Sequence, residues 1–233
     1  MSALRLLSAT LFAALAMGAS LPRQSASICG SAPEVPISGV PAIEVWSGAT
    51  RMGYLSTAVF ENGPPTAYGW LTYNYNDALN GVFSCGAPGA GTFVMGAANA
   101  RTVPGSDSNA IGLVVNQWST TLGPGNPNWG VLAPTFATAP GATPDSTSVG
   151  SFDGSSFEGS VWTIQSGTDS AGKAHQYLIP TWVNPDGSTV HLDVAVLPAQ
   201  GAIAATGDFA TFLSQNDYLG DWIQVKFAVG SSV

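Results

Sequence analysis

The residues able to carry chemistry are few, and their spacing groups them poorly. Only His175 and His191 supply imidazole, and neither stands in the His-x-His or His-Glu-x-x-His spacing that sets two ring nitrogens on one metal. His191 alternates with Asp193 along one strand face, which reads as a surface contact rather than a shared metal or proton. No Gly-x-Ser-x-Gly occurs; the nearest stretch, Thr168-Asp-Ser-Ala-Gly172, puts Thr where a nucleophile elbow needs Gly for its strained turn. Glycoside hydrolysis needs two carboxyls about 5 Å apart for retention or about 6.5–9.5 Å for inversion. The acids nearest aromatic positions are Glu44, Asp153, Glu158 and Asp193, and no two stand in the Glu-x-Asp-x-x-Glu pattern of sandwich-type glucanases. Oxygen-rich turns at Asp153-Gly-Ser-Ser-Phe-Glu158 and Asn184-Pro-Asp-Gly-Ser188 lack the Asp-x-Asp-x-Asn-Gly order of a calcium loop and read as ordinary turns. The chain therefore assigns no catalytic residue, no metal and no cofactor.

The aromatic residues say more. Trp46, Trp162, Trp182 and Trp222 sit beside strand patterns, where a large ring fills a core. Trp129 differs, because it lies in Gly123-Pro-Gly-Asn-Pro-Asn-Trp-Gly130 among turn residues. An exposed ring there stacks on the face of a sugar while Asn126 and Asn128 hydrogen-bond its hydroxyls; the alternative is a ring folded back over a sheet end. Tyr68 and Trp70 share one strand face and Tyr73 and Tyr75 the other, so one of these pairs faces solvent. Tyr68 and Trp70 are the second sugar-binding candidates.

Short strands must position these side chains. Runs of β-formers at 54–60, 68–75, 92–97, 111–118, 160–165, 176–183, 189–197 and 222–229 are separated by Gly, Pro, Asn and Ser. The last alternates most clearly, with Ile223, Val225, Phe227 and Val229 on one face and Trp222, Gln224 and Lys226 on the other. Phe209, Phe212 and Leu213 fall at i, i+3 and i+4, which predicts a short helix over 208–215 closing one edge. Residues 123–159 read as a long functional or mobile loop. The expected fold is all-β: an antiparallel, jelly-roll-like β-sandwich with one short C-terminal helix, in a single domain over 42–233.

Charge and export narrow the setting. Six Lys and Arg against fourteen Asp and Glu give a net charge of −8, which leaves no basic surface to neutralise phosphates and excludes nucleic acid as a partner. Residues 1–20 have the layout of a signal peptide: Arg5, an apolar run from Leu6 to Met17, then Gly18, Ala19 and Ser20, with cleavage after Gly18 or Ser20. That run falls short of the ~20 residues that span a bilayer, so a secreted monomer without a membrane partner is expected. Residues 21–41, rich in Pro, Ser and Ala, read as an extended arm.

The segment Glu158-Gly-Ser-Val-Trp-Thr-Ile164, followed by Pro180-Thr-Trp-Val-Asn-Pro-Asp-Gly-Ser-Thr189, resembles a group of small secreted proteins of mushroom-forming fungi. Its members pair a Glu-Ser-x-Ile/Val-Trp segment with a Trp-Val/Ile-Asn-x-Asp-Gly-Ser segment, and this chain departs by placing Gly159 between Glu158 and Ser160. The resemblance implies a fungal, secreted origin and a β fold, and no reaction. The functional expectation is a non-catalytic binding module for cell-wall or plant polysaccharide, with a paired-carboxylate hydrolase or a structural surface protein as alternatives.

Two cysteines, Cys29 and Cys85, remain after cleavage, and in an oxidising compartment an even count favours a bridge. Closing so long a loop stabilises the fold by roughly 4 kcal/mol on the chain-entropy model. Mass spectrometry with and without reduction should show Cys29 linked to Cys85; two alkylatable thiols in the native protein would refute the bridge.

Overall fold

The alternation at the C-terminus organises the whole chain. In β14 (Ile223–Val229), Val225 and Phe227 are buried while Gln224 and Lys226 are exposed. The computed structural model describes residues 41–58, 70–84, 91–99, 110–115, 120–145 and 155–230; the expected leader, Cys29, Cys85, Tyr68 and Asp153 lie outside the described residues. One edge of β14 pairs with β1 (Ile43–Ser47), which continues to β2 (Thr50–Leu55) and β3 (Leu71–Thr72). The other edge is divided. Its first half takes β12 (Asp193–Leu197), and its second half takes Tyr177 and Leu178 of β10 (Ala174–Val183), which runs antiparallel to β9 (Trp162–Thr168).

Two sheets therefore share β14. The first is β3-β2-β1-β14-β10-β9; the second runs from β14 through β12, β13 (Ala202–Thr206), β7 (Trp129–Thr135) and β6 (Ala110–Val115) to β8 (Ser156–Glu158). β4 (Gly81–Ser84) and β5 (Val94–Ala97) form a separate hairpin. Ile43, Val45, Leu178 and Phe227 from the first sheet meet Leu113, Leu132, Val194 and Ile203 from the second in one core. The described chain is thus an all-β antiparallel sandwich with one short C-terminal helix, as its turn-punctuated alternation predicts.

The helix, α1 (Phe209–Asn216), begins where Asp208 caps it by accepting from the Thr211 backbone N–H. It covers a face rather than closing an edge: Phe212 packs over Ala195 and Ala204, whose small side chains leave room for the ring on the outer side of the second sheet. The expected long loop over 123–159 is likewise corrected, because β7 and β8 lie inside it. Pro134 disguised β7; β13 pairs only with Trp129 and Gly130, so the proline stands where β7 has a ladder on one side alone. The expected strand at 189–197 breaks at Leu192, since β11 (Thr189–His191) pairs with β10 and β12 with β14.

Segments 158–164 and 180–189 lock together inside the sandwich. Trp162 and Trp182 are fully buried, their indole N–H groups donating to the carbonyls of Ile111 and Thr120. Asn184 clamps Leu122 by both amide atoms, and Gly187 supplies the positive φ of the turn after it. The Val183 N–H donates to Oε1 of Glu158, which is 2% exposed. Gly159 has a steric reason: a Cβ there would stand 2.0 Å from the Phe136 carbonyl oxygen.

Burial pushes the Glu158 carboxyl up to about 8, against the pull of the Val183 N–H. Between its ordinary value of 4.5 and that raised one, the folded chain holds a proton that the unfolded chain releases. Stability contributed by this group is therefore full at acid pH, falls as pH rises through that window, and levels off above it. Each pKa unit is worth ~1.4 kcal/mol, so the loss amounts to a few kcal/mol. Denaturant titrations at pH 5 and pH 8 should show this fall in the wild type and a much smaller one in Glu158→Gln; equal slopes would remove the buried acid from the account.

Candidate functional site

Where β10 and β12 leave the same edge of β14, the backbones diverge and a groove opens of about 360 Å3. Pro180 and Leu192 sit at the fork, joined by the Leu192 N–H donating to the Pro180 carbonyl at 2.8 Å. Tyr177 and Ile179 of β10, Gln224 and Lys226 of β14, and His191 and Asp193 from the bent strand opposite line the groove. The Gln224 amide donates to Asp193 Oδ1 at 2.7 Å, which sets a neutral donor and a carboxylate acceptor side by side. His191 Nδ1 lies 3.0 Å from the Thr181 hydroxyl, fixing the ring against β10.

The rim is built by the hairpin between β9 and β10. Asp169 Oδ1 accepts from the backbone N–H groups of Ala171 and Lys173, and Oδ2 lies 3.1 Å from His175 Nε2. Those donors, the Lys173 N–H first, hold the Asp169 carboxyl below its ordinary value. His175 is buried between two rings, 4.6 Å from Trp46 and stacked at 5.5 Å on Tyr177. Trp46 and Tyr177 meet over Ala228, the small residue between them on β14. The hairpin thereby swings Lys173 over Trp46, with Nζ 5.3 Å from the ring centre, and Lys226 covers Tyr177 at 4.8 Å.

On the same outer face, paired positions form a straight row: Tyr54, Glu44, Ala228 and Tyr177. Glu44 accepts from Trp46 Nε1 and pairs with Arg51, which lies over Tyr54; Tyr75 meets Tyr54 edge to face. Across its six strands this face is about 24 Å wide at ~4.8 Å per strand spacing.

Of the residues singled out in the sequence, His191 and Asp193 line the groove, while the sugar-binding candidates are placed elsewhere and apart. Trp129 begins β7 and remains 39% exposed, with its ring edge-on to Phe212. Asn126 and Asn128 share its loop, but both amide nitrogens donate to the Thr121 carbonyl, and Asn126 Oδ1 accepts from the Asn128 N–H. Their hydrogen bonds build the loop. Trp70 is half-buried and bridges to Ala202 at one end of β13, while Trp129 pairs with Thr206 at the other, about 13 Å away along the strand. Of the two tyrosine and tryptophan pairs, Tyr73 and Tyr75 face solvent, because β3 ends at Thr72 and Asn74 caps a 3-10 turn over Tyr75–Asp77. Trp46 and Trp222 also correct the expected placement: both lie on outer faces. The wet face read from β14 did contain Gln224 and Lys226; nothing in the sequence joined them to Tyr177 or Asp193.

Asp169→Ala removes the acceptor that shapes the rim hairpin and should lower the melting temperature by several degrees at neutral pH. Because the carboxyl is depressed in the folded state, its stabilisation is present above the ordinary carboxylate range and lost as pH falls through the folded value. Thermal melts from neutral to acid pH should show that loss in the wild type alone; parallel curves for the two proteins would reject the role.

Among the described residues, no group of three or more His, Cys, Asp or Glu is placed to hold a metal ion. No protein-family model matches the chain, nor does any curated protein or solved structure. The geometry of the groove alone carries the functional reading.

Proposed function

We propose that the protein is a secreted, non-catalytic carbohydrate-binding module, monomeric and of fungal origin, that holds a cell-wall or plant polysaccharide in the groove beside β14. The observation that carries this reading is the Gln224 and Asp193 pair on the wall of a concave site with aromatic and aliphatic surfaces. A sugar ring offers a C–H face and adjacent hydroxyls. Its apolar side suits Ile179 and the edge of Tyr177, and two neighbouring hydroxyls suit an amide donor beside a carboxylate acceptor. The groove volume lies within the ~300–1,000 Å3 of small-molecule sites.

Glycoside hydrolysis is the competing reading. Two carboxylates line the groove, Asp169 and Asp193, but Asp169 already receives two backbone N–H groups and faces His175. Its capacity is committed to the hairpin, which leaves Asp193 without a free second carboxyl among the described residues. Trp129 supports a different binding surface for the same ligand class, since its ring is more than a third exposed.

Retention on insoluble chitin, β-glucan and cellulose, with reducing-sugar release measured in the same tubes, tests these readings. Retention without release is expected. Gln224→Ala should weaken it about tenfold, the worth of one good hydrogen bond at ~1.4 kcal/mol, while Trp129→Ala leaves it intact. Loss of retention in Trp129→Ala alone would move the site to the loop, and sugar release that Asp193→Asn abolishes would make the protein a hydrolase.

A further inference from the structure

The cations of this acidic chain are not scattered. Of its six Lys and Arg, three fall within the described residues, and all three, Arg51, Lys173 and Lys226, lie on the outer face of the first sheet. Arg51 is neutralised by Glu44 at 3.2 Å. Neither lysine has a carboxylate within ion-pair distance among the described residues; each instead rests its ammonium on a ring, Lys173 on Trp46 and Lys226 on Tyr177. The two rings belong to one cluster, and Lys226 lines the groove itself.

An aromatic face holds an ammonium in place without using up its three N–H donors. Two ammonium groups fixed in this way, in a chain of net charge −8, form a local site for an anion that the rest of the described residues do not offer. The acids nearby keep their charge but point it at other donors, Asp169 at its hairpin, Glu44 at Arg51 and Trp46, and Asp193 at Gln224, and none of them forms an ion pair with either lysine.

We propose that the groove takes an acidic polysaccharide, in which a uronic acid carboxylate seats on Lys226, a second one along the chain on Lys173, and ring hydroxyls on Gln224 and Asp193. This rests on the reading of the groove as a sugar site and names its substrate class. Charge complementarity selects the occupant, since a neutral sugar leaves both ammonium groups without an ion-pair partner.

Calorimetric titration with short galacturonate oligomers, with the same oligomers methyl-esterified, and with neutral galactose oligomers tests the proposal. Esterification keeps the backbone and removes the charge. The wild type should bind the free acid at least about tenfold more tightly than the ester, at ~1.4 kcal/mol per tenfold. Lys226→Gln and Lys173→Gln should each erode that preference by weakening free-acid binding more than ester binding, and Lys226→Arg should restore it. The wild-type comparison stands even where a variant fails to fold. Equal affinity for acid and ester, or binding of the neutral galactose oligomers alone, would overturn the acidic ligand and leave the carbohydrate reading in place. No binding of any of these sugars would sink that reading and the proposal with it.

Discussion

A β-strand has two edges, and β14 is asked to serve three partners. It gives one edge to β1 and divides the other between β12 and β10. Two strands that claim successive halves of one edge must part company, and each then leads its own sheet away. The sandwich closes along this line, and the fork that closes it is also the groove. Pro180 fits the fork because it has no N–H to leave unpaired between the β14 pairing and the β11 pairing, while its carbonyl still takes the Leu192 N–H. Fold and candidate site are thus consequences of a single geometric event.

Beside the fork, where β10 runs on past Pro180, the sandwich is held by polar groups at low dielectric. Both fully buried tryptophans give their N–H to backbone carbonyls, and Asn184 imitates a strand partner for Leu122. Glu158 joins β8 to the end of β10 through the Val183 N–H. A buried donor or acceptor left unpaired costs about 1–3 kcal/mol, so these bonds fix which way the two sheet ends meet.

Low charge gives each ionic group a defined place. Asp169, Asp186 and Asp208 all have carboxyls pulled below their ordinary value, by the Lys173 N–H of a turn, by the Ser188 hydroxyl, and by the Gly125 N–H with the helix start behind it, respectively. These three are turn and cap residues, whereas Glu44, Glu158 and Asp193, the described acids that looked like candidate chemistry, lie on strands. The described cations, by contrast, lie across aromatic rings on one face, and among the described residues only Arg51 is drawn into an ion pair. Acids are spent on backbone geometry and lysines are left facing outward.

Local patterns in the chain determined much of the architecture. Alternation at 222–229 set the inward and outward faces of β14, Asp208 with Phe209 and Phe212 set the helix, and Asp186-Gly187 set its turn, because each depends on residues within a few positions. Other elements were hidden. Pro134 reads as a breaker until its one-sided ladder is known, and the break at Leu192 arises only because a continuous apolar run changes partner. The groove was beyond local reading altogether. Its walls come from β10, from the strand pair broken at Leu192, and from β14, and its rim brings Trp46 from far earlier in the chain. A strand pattern separates two faces but does not say which outer face a hairpin will cover. Tertiary pairing decided that Trp46 lies under Lys173 outside the core and that Asn126 and Asn128 bind their own loop, because only the packed sheets fix which hydrogen-bond partners remain within reach.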